Sequence, residues 1–192
     1  MRLQSAVIRD SLRSMTSDQT IAPFAAAVYR PDTGDRMALF KFVERLKSNN
    51  VRVGGVLQEA LFNSAGEITG LDAIDVDTNQ RIPISRPMEN RDECGLDVSA
   101  LAGTTEIIRK AIDDRLALVV VEKFGELEQE GKGLIDEIFQ TIAAGIPLLI
   151  SVPEAALAAW QERSGELGSV LSFNEEAFQQ WWQGLAIESK SN

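Results

Sequence analysis

Residues 23–57 read PFAAAVYRPDTGDRMALFKFVERLKSNNVRVGGVL. The run from Pro23 to Tyr29 is apolar, as a strand buried on both faces requires. A polar loop follows, Arg30-Pro31-Asp32-Thr33-Gly34-Asp35-Arg36. Met37, Phe40, Val43 and Leu46 then recur every three residues and mark one helix face. Asn49-Asn50 stops that helix, and Val51–Leu57 reads as a second strand. Strand, loop, helix and strand in this order make the minimal parallel crossover unit.

The same alternation continues downstream. Leu116–Val121 (LALVVV) is the most β-branched run in the chain and predicts a central strand. Leu134, Ile135, Ile138, Phe139 and Ile142 stripe a helix that Gly145 closes. Ile146–Val152 (IPLLISV) is the next strand. Residues 154–163 are expected to be helical, 167–172 an edge strand, and 175–185 a last helix. In the middle, 71–76 and 81–85 alternate apolar and polar around Asp77-Thr78-Asn79-Gln80, which predicts a hairpin inserted between crossover units. Residues 86–95 read as a charged surface loop. Asp97 is placed to cap a helix reaching about Asp114, with an interruption expected near Gly103. The fold class is therefore α/β, three-layered, with a mainly parallel sheet, Rossmann-like in outline, and an inserted β-hairpin. The expected organisation is an N-terminal arm over 1–22, a single domain over 23–187 and a loose tail over 188–192.

Composition narrows the chemistry. The chain has 192 residues, 29 acidic and 19 basic side chains, no histidine and one cysteine, for a net charge of −10. A Ser-His-Asp triad and a His-ligated zinc are impossible, and one cysteine forbids an intrachain disulfide framework. Net acidity argues against nucleic acid as a partner. No stretch approaches the roughly 20 apolar residues that span a bilayer, so no membrane partner is expected. Residues 1–22 lack the apolar core of a signal peptide. The expected location is cytoplasmic, with Cys94 a reduced thiol that is either reactive near the site or a small buried hydrophobe.

In open α/β sheets ligands sit at the carboxyl ends of the strands, so the loop after the first strand is the first candidate site. A phosphate-binding loop needs glycines, a lysine for the outer phosphates and a hydroxyl for magnesium. With Gly34 at the last loop glycine, Asp35 stands at the lysine position, Arg36 at the hydroxyl position and Tyr29 at the first glycine. An aspartate there repels the outer phosphates. Arg30 and Arg36 still suit an oxyanion of another shape, since guanidinium groups bind oxyanions in bidentate fashion. The alternative is a solvated turn in which Asp32 or Thr33 caps the helix. Gly131-Lys132-Gly133 resembles a small anion nest or, alternatively, a flexible turn. Trp160, Trp181 and Trp182 are expected in packing rather than as ligand stackers, and a tryptophan pair on a late helix suits a homodimer contact.

Three segments occur in order: Val51–Gln58 (VRVGGVLQ), Val76–Arg81 (VDTNQR) and Leu118–Glu128 (LVVVEKFGELE). They resemble the thermophile-type nucleoside triphosphatases of the P-loop superfamily. Lys123–Gly133 (KFGELEQEGKG), Cys94-Gly95-Leu96-Asp97, Ala144-Gly145-Ile146-Pro147 and Trp181-Trp182 resemble, more closely, a bacterial family of unknown function whose genes often lie beside molybdate-transport genes. The resemblance covers about 23–185. It implies a P-loop NTPase-like fold and a link to molybdenum uptake or cofactor supply, with a molybdenum-metabolism protein as partner. In the triphosphatases an acidic pair after the central strand serves magnesium and water activation. Here Glu122 matches the first acid and Lys123 replaces the second.

Standard hydrolysis is therefore not expected, and magnesium is expected only if it survives. The ligand-binding candidates are Arg30, Thr33, Gly34, Asp35, Arg36, Glu122, Lys123, Gly131, Lys132 and Gly133. Glu122 and Lys123 are the catalytic candidates should the protein be an enzyme, and no metal ligand set is expected. Asp35 and Lys123 would sit at neighbouring strand ends and pair, filling the pocket. The leading expectation is a binding protein for a nucleotide or a small oxyanion. A divergent triphosphatase or phosphotransferase and a pure protein-interaction module remain as alternatives.

Overall fold

The computed structural model describes residues 23–30, 35, 37–85 and 98–188. Seven strands form one sheet: β1 (Phe24–Tyr29), β2 (Val53–Phe62), β3 (Ile68–Asp75), β4 (Arg81–Pro83), β5 (Leu118–Val121), β6 (Leu148–Pro153) and β7 (Ser169–Ser172). Their spatial order is β4-β3-β2-β5-β6-β1-β7. The pairs β2/β5, β5/β6, β6/β1 and β1/β7 are parallel, and β3 and β4 add antiparallel beyond β2. The helices are α1 (Ala38–Ser48), α2 (Val98–Asp113), α3 (Glu126–Gln129), α4 (Ile135–Ala143), α5 (Leu157–Arg163), preceded by a 3-10 turn at Glu154–Ala156, and α6 (Glu175–Glu188).

The three layers follow from the alternation of side chains along fully buried strands. Ala25, Ala27, Leu118, Val120 and Leu149 face one way and pack with Leu39, Phe42, Val43 and Leu46 of α1 and Phe178 and Trp181 of α6. Phe24, Ala26, Val119, Val121, Ile150 and Val152 face the other way. There they meet Ile108 and Ala111 of α2, Ile135 and Ile138 of α4 and Trp160 of α5. Strands covered on both faces have no polar face to alternate with, which is why β1, β5 and β6 were readable as apolar runs. Trp160 centres its layer, stacked on Phe139 and edge-on to Phe24 and Phe124. Trp181 is buried and Trp182 packs partly buried beside the opposite cluster.

Several expectations change. The second strand runs on to Phe62, because Asn63 closes a tight turn by accepting the N–H groups of Ala65 and Glu67. α2 is unbroken through Gly103, where a Cβ would come within 3.3 Å of Ile82 Cδ1 on β4. The stretch at 154–163 splits into a 3-10 turn and a short helix, and the last helix continues to Glu188 rather than ending at Leu185. Gly55 lies at φ +112°, and a Cβ there would sit 1.9 Å from the Val120 carbonyl oxygen. Gly55 therefore admits the close approach of β5, while Gly54 makes room for the Leu116 and Ala111 side chains. The expected arm at 1–22, the loop at 86–95 and the cap Asp97 lie outside the described residues, and so does the tail beyond Glu188.

Candidate functional site

β1, β5, β6 and β7 run parallel, so Arg30, Glu122 and Lys123, Glu154 and Phe173 all emerge at the carboxyl edge of the sheet. This is the edge where an α/β sheet presents ligand-binding loops.

Of the first loop, Thr33, Gly34 and Arg36 lie outside the described residues. Its two described ends are both engaged. Arg30 donates from Nε to Glu154 Oε2 at 2.8 Å and from Nη2 to Oε1 at 2.6 Å. The fork ties the end of β1 to the turn after β6, and it lowers the pKa of Glu154. Asp35 sits at the start of α1. Its Oδ1 accepts the Met37 N–H at 2.9 Å, its backbone carbonyl accepts the Ala38 N–H at 2.9 Å, and its Oδ2 accepts from Lys41 Nζ at 2.5 Å. Lys41, then the Met37 N–H, hold the Asp35 carboxyl below the ordinary carboxylate range, while Asp35 raises the Lys41 ammonium. The chain's own anion thus stands at the turn that enters α1, where a phosphate would otherwise be attracted.

The expected Asp35–Lys123 pair does not form. β6 lies between β1 and β5, so the two strand ends are not neighbours, and Lys41, in the first turn of α1, takes the Asp35 carboxylate. Lys123 is exposed, with its aliphatic stem against Gly125, and the Glu122–Lys123 peptide bond is cis. Glu122 is half-buried and its Oε2 accepts the Gln58 N–H of β2 at 3.1 Å. Beyond them Phe124 donates its N–H to the Ser151 carbonyl at 2.9 Å and buries its ring completely.

Gly131-Lys132-Gly133 does curl as a nest does, with Gly131 at φ +79° and Gly133 at φ +60°. The carboxylate packed against it belongs to the chain itself. The buried Glu128 accepts the Gly125 N–H on Oε2 at 2.9 Å and the Leu134 N–H on Oε1 at 3.0 Å. A Cβ at Gly133 would stand 2.2 Å from Oε1. The Lys132 N–H is spent on the Leu127 carbonyl and its ammonium on Glu130. The Lys123–Gly133 motif thus reads as a self-locked turn that fixes the segment after Glu122. Cys94 lies outside the described residues.

Beside the Arg30–Glu154 fork an open cleft of about 440 Å³ runs along the ends of β1 and β7. Its walls include Val28, Leu157 and Val170, with Tyr29 and Phe173 at its head, their rings 5.6 Å apart. The sequence held no local signal for it, because Arg30 and Glu154 are 124 residues apart. Glu128 and Lys41 were missed for the opposite reason. Each looks like an ordinary surface charge until its partner is known. Among the described residues no group of three or more Cys, Asp or Glu is placed to hold a metal ion, and no helix is long and apolar enough to cross a membrane.

The mostly parallel sheet with helices on both faces is consistent with a P-loop NTPase-like α/β domain. Within that class the chain belongs to the family described as protein of unknown function (DUF2478), whose model matches residues 24–181. It is 34% identical over 167 residues to the molybdenum import ATP-binding protein ModC 2 of Bradyrhizobium diazoefficiens, covering 86% of this chain and 19% of that protein. It is 26% identical over 121 residues to the nucleoside-triphosphatase THEP1 of Thermoplasma acidophilum, covering 60% of this chain and 65% of that protein. The chain thus spans about a fifth and just under two thirds of these relatives. No solved structure matches it.

Proposed function

We propose that this domain is a P-loop-derived module that binds a nucleotide or a small oxyanion without standard triphosphate hydrolysis, and that it serves molybdenum uptake or cofactor supply. The observation that carries the reading is the engagement of Asp35 by the Met37 N–H and Lys41. Where hydrolysis needs a lysine on the outer phosphates, this chain keeps a carboxylate whose ionised form is stabilised. Lys123 beside Glu122 removes the second acid that would activate water. Similarity to two proteins named for ATP binding and for nucleoside triphosphatase activity supports a nucleotide or its phosphates as ligand. The molybdenum link is supported by the first of these, in which a segment like this chain accounts for 19% of a molybdenum import protein.

Calorimetry with molybdate, tungstate, phosphate, ATP and GTP tests the binding, and phosphate release in the presence of magnesium tests the chemistry. The expected result is binding of at least one ligand with no release above buffer. No heat for any of them at high protein concentration would leave the interaction-module reading instead. Phosphate release that Glu122→Gln abolishes would replace the proposal with the divergent-enzyme reading.

A further inference from the structure

The cleft at the ends of β1 and β7 pairs apolar walls with a polar rim made by Arg30, Glu154 and Ser172. Molybdate or phosphate gains nothing from walls made by Val28, Leu157 and Val170, and its charge has no unmatched cation to meet in the Arg30–Glu154 fork. Glu154 already balances Arg30 in bidentate geometry. That neutral mouth favours a neutral group with apolar faces and a polar edge. Each Glu154 oxygen accepts one of these two bonds from Arg30 and has a second lone pair, so the carboxylate can still take an amino or ring N–H. The volume of about 440 Å³ falls in the range of small-molecule sites. The cleft also begins at Arg30, the first residue of the loop in which the anion was sought.

We propose that this cleft seats the heteroaromatic base of a nucleotide, with its ring faces against the apolar walls and its polar edge toward Glu154. The inference rests on the reading of the domain as a nucleotide- or oxyanion-binding module, and it makes a nucleoside phosphate, rather than a bare oxyanion, the ligand.

The test compares ATP and GTP with inorganic tripolyphosphate by calorimetry, on the wild type and on two cleft variants. Ser172→Trp fills the cleft from an exposed position at the end of β7, and Val170→Asp puts a carboxylate on its half-exposed wall. Circular dichroism checks that both are folded. At least one nucleotide should bind about tenfold or more tightly than tripolyphosphate, the factor expected of a base resting on apolar and aromatic groups. Both folded variants should erase that advantage and leave tripolyphosphate affinity unchanged. Equal wild-type affinity for nucleotides and tripolyphosphate would overturn the base site while leaving an anion site intact. Weakening of both ligand classes by the same factor in the variants would also overturn it. No binding of either class, with molybdate and phosphate also silent, would overturn the broader reading as well.

Discussion

The Glu128 carboxylate and Gly133 should behave as a single unit, and a double-mutant cycle measures it. Glu128 accepts two backbone N–H groups, one from Gly125 and one from the buried Leu134. Hydrogen bonds to a charged group contribute roughly 1.5–3 kcal/mol each, and a buried donor left without a partner costs about 1–3 kcal/mol. Glu128→Gln keeps one acceptor and turns an amide N–H toward the other donor, so a loss of about 2–4 kcal/mol is expected. For a domain of this size roughly 3 °C of Tm accompanies each kcal/mol, which gives a fall of about 6–12 °C. Gly133→Ala adds a methyl 2.2 Å from Glu128 Oε1 at a φ of +60°. It should cost about 1–2 kcal/mol for the left-handed backbone and about 2 kcal/mol more for displacing the carboxylate from the Leu134 N–H. In a Glu128→Ala background the second cost has already been incurred, so only the backbone strain remains. Denaturant unfolding of the four proteins should give a coupling of about 2 kcal/mol. If the two single losses simply add, the carboxylate is not held between Gly133 and the Leu134 N–H and the motif needs another explanation.

Three further expectations can be checked separately. Asp35→Lys removes the carboxylate that stands at the entry to α1 and introduces the charge of an ordinary phosphate loop, so tripolyphosphate affinity should rise by roughly tenfold at low salt and less at high salt; calorimetry at two ionic strengths reads this, and unchanged affinity would refute the role given to Asp35. Because Asp35, Glu130 and Glu154 have folded pKa values below their unfolded ones, their contribution is present above the unfolded carboxylate range near pH 4 and is lost as pH falls through the folded values. With no histidine in the chain, Tm should stay level from about pH 5.5 to 7 and decline in acid, and a transition between pH 6 and 7 would contradict this assignment. Trp160→Ala should cost about 3–5 kcal/mol by emptying the aromatic centre of its layer, while Trp160→Phe should recover much of that loss in a thermal melt.

Much of the fold was legible because burial dictates composition. A parallel strand covered on both faces is built mostly of apolar residues, and β1, β5 and β6 are, with the buried Ser151 of β6 as a polar exception. The stripe of α4 and the hairpin of β3 and β4 followed from periods of 3.6 and 2, whereas α1 buries Leu39, Phe42, Val43 and Leu46 and leaves the expected Met37 exposed and Phe40 partly buried, because a spacing of three drifts off a face that repeats every 3.6 residues. The extension of β2 was missed because Gln58–Phe62 carries no signal until Asn63 turns the chain. Gly103 read as a break because the neighbour that crowds it, Ile82, comes from the inserted hairpin.

The site was legible in a different sense. The sequence by itself determined that residues 30–36 hold two arginines and no lysine, that Lys123 follows Glu122, and that the chain has no histidine. Those statements concern residue type at a position, and local spacing suffices to make them. Only the tertiary structure decided what these residues do instead. Strand order placed β6 between β1 and β5, so Asp35 turned to Lys41 rather than Lys123, and Arg30 to Glu154. A charge finds its partner through the sheet's spatial order, and that order is set by which apolar strands pack side by side, information that no window of neighbouring residues contains.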